Sequence, residues 1–121
     1  MYGIERRYLD RFEVPDAEVV YRFAGGAESR GSLADITKIS VRFETEYLFN
    51  TGDHIELEII IPDKENITVR GNVVRLVNSQ GSQSLSVAVQ FLPFGSDERY
   101  NSMDSYSQLN ALTTEYMQKV A

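Results

Sequence analysis

The chain has 121 residues, 42% of them hydrophobic and 25% charged, with a formal net charge of -6 and no cysteine. That length leaves room for one domain with a real core, and the missing cysteine excludes disulfides and thiolate metal sites. No apolar run approaches the ~18 residues of a membrane span, and the acidic balance argues against binding a nucleic-acid polymer by bulk electrostatics. The N-terminus lacks a basic-then-apolar secretion signal, so a cytoplasmic location is expected.

The first feature in chain order is Glu5-Arg6-Arg7-Tyr8-Leu9-Asp10-Arg11, with three arginines in six positions. Arginine offers a planar fork of donors that matches phosphate and the acceptor edge of guanine, and it stacks on purines. Arg7 and Arg11 would share a face on a helix. Pro15 follows closely and no apolar helical stripe surrounds them, so an extended arm, residues 1–14, is expected. Its two forks would clamp one compact anion, provided the chain places something opposite. A solvated cluster is the alternative, because Glu5, Asp10 and Glu13 cancel the three charges. The arm has little to bury, so it is expected to be mobile without ligand.

Six strands are predicted in residues 15–92. Val19, Tyr21 and Phe23 alternate with Val20 and Arg22, and a loop through Gly25-Gly26 runs on to Gly31. A second strand, about Ser32 to Ile36, leads through Asp35-Ile36-Thr37-Lys38-Ile39-Ser40 to a third, in which Ile39, Val41 and Phe43 share a face. Arg42 is expected on the outer face of that strand, away from the turn. After the turn Asn50-Thr51-Gly52-Asp53, Ile55, Leu57, Ile59 and Ile61 point one way while His54, Glu56 and Glu58 face water. The fifth strand, Ile67 to Val77, slips phase, which suggests a bulge near Gly71. Leu85, Val87, Val89 and Phe91 form the sixth.

Six short strands joined by hairpin-length turns predict an all-β, antiparallel barrel whose closure removes its edges. After Pro93 the period changes. Ser96 or Asp97 is a candidate cap, with Glu98 in the first turn, and Met103, Tyr106, Leu109, Leu112, Tyr116 and Val120 recur at helical spacing. A C-terminal α-helix over 96–120 is expected to lay this stripe on an open end of the barrel. The whole chain, 1–121, reads as a single domain.

Few residues suggest catalysis. His54 is the sole histidine and has no cysteine or second histidine to build zinc coordination with. Glu56 and Glu58 lie on one exposed face, which is ordinary solubility patterning. No G-x-S-x-G elbow is present, so an enzyme is not expected.

An R-x-x-x-R pair followed about two dozen residues on by a [D/N]-x-S-x-x-G turn between strands is the signature of PilZ domains. Arg7 and Arg11 match the pair, and Asp35 matches the acid. Thr37 stands where the family has serine, and Ser40 where it has glycine. The runs Val69-Arg70-Gly71-Asn72-Val73-Val74-Arg75 and Val87-Ala88-Val89-Gln90-Phe91 fit the family's later strands. From about Glu5 to Phe91 the chain therefore resembles a PilZ domain.

The resemblance implies a six-stranded PilZ-like barrel and a ligand, cyclic di-GMP, with no other cofactor. It implies Arg7 and Arg11 as phosphate and base contacts, Asp35 as a guanine acceptor, and Thr37 as a polar contact beside it. Arg6 is an auxiliary candidate, and Ser40 completes the turn. If the backbone at Ser40 needs φ > 0, serine costs about 1–3 kcal/mol there, and Ser40→Gly would tighten binding. A lone domain of this kind acts by presenting a ligand-dependent surface to a protein partner, which the sequence does not name. The alternative is a degenerate PilZ-like module that works through protein contacts without the nucleotide.

Overall fold

The computed structural model describes residues 12–22, 28–47, 49–78 and 84–120, with side chains as far as residue 116. Six strands, β1 (Glu18–Arg22), β2 (Glu28–Ile36), β3 (Ser40–Thr45), β4 (His54–Ile60), β5 (Ile67–Asn78) and β6 (Leu85–Phe91), close into a barrel in the order β1-β2-β3-β6-β5-β4. Every pairing is antiparallel. One helix, α1 (Met103–Val120), follows. The alternation predicts this architecture because each strand has one apolar face to bury, and closure turns all six faces onto one core. Tyr21, Phe43, Leu57 and Ile59 are fully buried there. The Tyr21 hydroxyl is satisfied by the Thr45 hydroxyl at 2.6 Å. No helix among the described residues is long and apolar enough to cross a membrane.

Several boundaries differ from the sequence reading. β2 begins at Glu28, not near Ser32, and the stretch read as loop pairs along β1. Gly31 is a strand glycine: a Cβ there would lie 2.6 Å from the Glu44 carbonyl oxygen, so the apparent breaker marks a close approach of two backbones. The phase slip in β5 falls between Val73 and Arg75 rather than at Gly71. A Cβ on Gly71 would lie 2.4 Å from the Gln90 carbonyl oxygen. A second slip, between Leu33 and Asp35, breaks the β2–β3 ladder. Ile39, expected inward, is exposed, and its carbonyl accepts the Phe91 N–H at 2.8 Å.

The helix starts at Met103, seven residues after Ser96. Ser102, not Ser96 or Asp97, caps it, accepting the Ser105 N–H at 3.2 Å. Residues 95–101 instead form a turn pinned by the Gly95 N–H to Asn101 carbonyl bond, 2.9 Å, and the Asn101 N–H to Pro93 carbonyl bond, 2.8 Å. Leu109 and Leu112 enter the core as the spacing predicts, whereas Met103 is exposed. The expected arm also ends earlier. Phe12 and Val14 are core residues, and Phe12 is held there by its backbone bonds to Ile36 and its ring contact with Tyr116.

Candidate functional site

The β2–β3 turn carries three of the sequence-predicted site residues, and local hydrogen bonding explains its shape. The Thr37 N–H donates to the Ser40 carbonyl at 2.8 Å. The Thr37 hydroxyl oxygen accepts the N–H groups of Ile39, at 3.1 Å, and Ser40, at 3.0 Å. The hydroxyls of Thr37 and Ser40 are 2.8 Å apart. A buried threonine thus replaces backbone ladder bonds with its own side chain, which is why Ser and Thr suit such turns.

Ser40 does not adopt the left-handed backbone that the glycine of the motif suggested. Asp16 and Asp63 are the non-glycine residues with positive φ among those described, and Ser40 opens β3 in extended pairing with Gln90. The conformational penalty assigned to serine therefore falls away.

Asp35 sits just after the β2 bulge, which re-aims its side chain. One of its oxygens, Oδ2, accepts both Nε of Arg42, at 2.9 Å, and Nη2, at 2.6 Å. Nη1 of Arg42 donates to the Ser86 hydroxyl at 3.2 Å. The hydrogen bond to Asp35 raises the Arg42 pKa above its ordinary value, opposed by partial burial, so the guanidinium stays charged throughout the physiological range. Arg42 does lie on the outer face of β3, but it is not away from the turn: its fork spans the gap from β3 to β2 and β6.

The chain after the arginine cluster is tied to the same place. The Phe12 N–H donates to the Ile36 carbonyl at 3.1 Å, and the Ile36 N–H donates back at 3.0 Å. The Phe12 ring stacks on Tyr116 of α1 with centroids 5.6 Å apart and planes at 15°. Arg6, Arg7 and Arg11 lie outside the described residues. In sequence Arg11 immediately precedes Phe12, and Asp35 immediately precedes Ile36. The structure thus brings together Asp35, Thr37 and Ser40, and adds Arg42 and Ser86.

A groove of about 360 Å³ runs from Arg42 over the outer faces of β3, β6 and β5, lined also by Glu44, Arg75, Val77 and Asn78. Arg42 pairs with Ala88, and Ala88 with Arg75, so the two arginines flank one row of the sheet. Lys38, in the turn, and Arg75 are the basic side chains with no ion pair or hydrogen bond to another described residue. A larger cavity, about 540 Å³, lies along β1 to β3. Its lining of Glu18, Glu44 and Glu46 against Arg30 makes it a poor place for an anion. Sequence reasoning missed Arg42, Ser86 and Arg75. Arg42 was legible as an outward position of the strand that begins at the turn, whereas Arg75 was hidden by the bulge at Val74.

Solved structures with the same fold include the PilZ domain with c-di-GMP of YcgR from Escherichia coli, with a TM-score of 0.68 and 14% identity over 95% of this chain and 94% of that one. The K. pneumonia MrkH-c-di-GMP complex matches at a TM-score of 0.76 and 14% identity, over 95% of this chain and 54% of that one. Bacillus subtilis Inhibitor of motility (MotI/DgrA) matches at 0.68 and 18%, over 94% and 52%. The chain therefore spans about half the length of the MrkH and MotI chains. No curated protein matches the sequence. The family profile of the PilZ domain matches residues 5–107, a span that runs from the arginine cluster through the barrel into α1, and the chain belongs to the PilZ domain family.

Proposed function

We propose that this domain is a cyclic di-GMP receptor or adaptor that presents a ligand-dependent surface to a protein partner. The observation that carries the reading is the two-bond bridge between Phe12 and Ile36. It anchors the residue after Arg11 against the residue after Asp35. In this reading the short tether lets Arg7 and Arg11 reach the turn that holds Asp35, Thr37 and Ser40. In this reading Arg7 and Arg11 pair with phosphate oxygens or stack on bases. Arg6 assists, and Asp35 accepts from a guanine. Thr37 and Ser40 shape the turn beside it.

Titration calorimetry with cyclic di-GMP tests this. Arg7→Ala and Arg11→Ala should each weaken binding by about 1.5–3 kcal/mol, or roughly tenfold to over a hundredfold. Arg99→Ala serves as the control, because Arg99 is exposed and paired with its neighbour Asp97. Equal losses in all three would mean that charge in general, not a site, attracts the ligand.

One observation favours a second reading, a module that works through protein contacts without the nucleotide. Part of the turn's polar capacity is already used within the domain: Oδ2 of Asp35 holds Arg42, and Thr37 holds Ser40. A folded wild type that gives no heat with cyclic di-GMP would establish that reading instead.

A further inference from the structure

We infer that Arg42 sets the base selectivity of this site, as a positioning residue that holds the Asp35 carboxylate in one orientation. The inference rests on the reading of Asp35 as a base acceptor and adds the residue that makes the acceptor discriminating. A carboxylate rotates easily, since its terminal torsion is broad and two-fold. That of Asp35 is pinned. Both lone-pair directions of Oδ2 are taken by Nε and Nη2 of Arg42, at 2.9 and 2.6 Å. The fork is fixed in turn by the Nη1 bond to Ser86 on β6, at 3.2 Å. Three neighbouring strands therefore define one plane for the carboxylate.

Among the described residues the hydrogen bonds to the Asp35 carboxylate both fall on Oδ2, which leaves Oδ1 as the open acceptor, and the Asp35 side chain keeps 12% of its surface exposed. The site then offers one acceptor in one direction. Guanine turns two adjacent donors, N1–H and the 2-amino group, towards such an oxygen. Adenine turns the lone pair of N1 beside its 6-amino group. A fixed acceptor rewards the first and sets lone pair against lone pair in the second, and mismatched hydrogen bonding of this kind separates ligands strongly. A carboxylate left to rotate would meet the 6-amino group alone and lose that contrast. Arginine is needed because lysine, a point charge, cannot supply the planar fork that locks the plane. Arg42 has three nitrogens committed to Asp35 and Ser86, so its effect on the base passes through Asp35.

The test compares cyclic di-GMP with cyclic di-AMP by titration calorimetry on the full chain, with thermal melting run alongside. Wild type should prefer cyclic di-GMP. Arg42→Gln should reduce that preference by about tenfold or more, and Arg42→Lys, which keeps charge and stem, should reduce it in the same direction by less. Combining Arg42→Gln with Asp35→Ala should add little to Asp35→Ala alone. A purely structural role would lower both affinities by one factor and leave their ratio as in wild type; an unchanged ratio in both Arg42 variants overturns the inference while the receptor reading stands. Should Asp35→Ala bind cyclic di-GMP as wild type does, the assignment of Asp35 fails and takes the inference with it. A wild type that binds neither nucleotide overturns the receptor reading as well.

Discussion

At Thr37 one hydroxyl oxygen accepts two backbone N–H groups and faces the Ser40 hydroxyl, in a site that is 3% exposed. Thr37→Val keeps the shape and removes the acceptor, leaving two donors short of a partner. It should destabilise the fold by about 1–3 kcal/mol, whereas Thr37→Ser, which keeps the hydroxyl, should cost under about 1 kcal/mol. Urea unfolding of the three proteins decides it, and equal stability of wild type and Thr37→Val would refute the role given to the hydroxyl. Ser40→Gly bears on the same bonds. Since Ser40 is extended and bonded to Thr37, glycine removes a hydroxyl bond and adds backbone freedom, so it should destabilise by about 0.5–1.5 kcal/mol and should not tighten binding of cyclic di-GMP. Tightening by tenfold would restore the strained-backbone account. Here the sequence showed where the motif lay but not how the motif was built. A glycine in the family pattern suggested φ > 0, and only the threonine's hydrogen bonds show an extended route through the turn.

Among the elements, β5 and the approach to α1 show where patterning is legible and where it is not. Period-two alternation located β1, β3, β4 and β6, the last to the residue, because burial of one face is a property of composition along a strand. It misplaced the bulge, since Gly71 looked like the irregular residue. Gly71 instead lies where the β6 backbone leaves no room for a side chain, and Gly71→Ala should destabilise by about 1–3 kcal/mol through the clash with the Gln90 backbone. Gly95→Ala should cost less, because its Cβ would meet the ring of the exposed Tyr100, which can move. The helix start was misread for a related reason. Asn101, a weak helix former, is buried and bonds the Arg70 N–H, the Arg70 carbonyl and the Leu92 carbonyl at 2.7, 2.9 and 3.0 Å. Those long-range bonds hold residues 95–101 out of the helix, and no local rule reveals them. Asn101→Ala should lower stability by about 2–3 kcal/mol, at roughly 1 kcal/mol per bond. Thermal melting within 2 °C of wild type would contradict it.

For the whole molecule, closure of the barrel makes one core serve every strand, and both the N-terminal segment and α1 add to it. The candidate site was legible to the extent that its residues belong to one local turn. Its wider surroundings come from strand order, since β3 lies between β2 and β6, and that neighbourhood sets Ser86 beside Arg42. Phe12 joins the helix to the turn: its backbone exchanges two hydrogen bonds with Ile36 while its ring lies against Tyr116. Phe12→Ala should cost about 3–5 kcal/mol as a large core truncation. Tyr116→Ala is gentler, because Tyr116 is only partly buried, and it isolates a different effect. Without the stacked ring, Phe12 should leave Ile36 more often, so the Ile36 amide should exchange with solvent faster while the Leu57 amide keeps its rate. Unaltered exchange at Ile36 would show that the two ends of this contact move independently. If they move together, the pair works as a lever. A protein that grips the C-terminal helix would pull on the strand end that carries Asp35, and a nucleotide that draws the arginine segment inward would push on the helix.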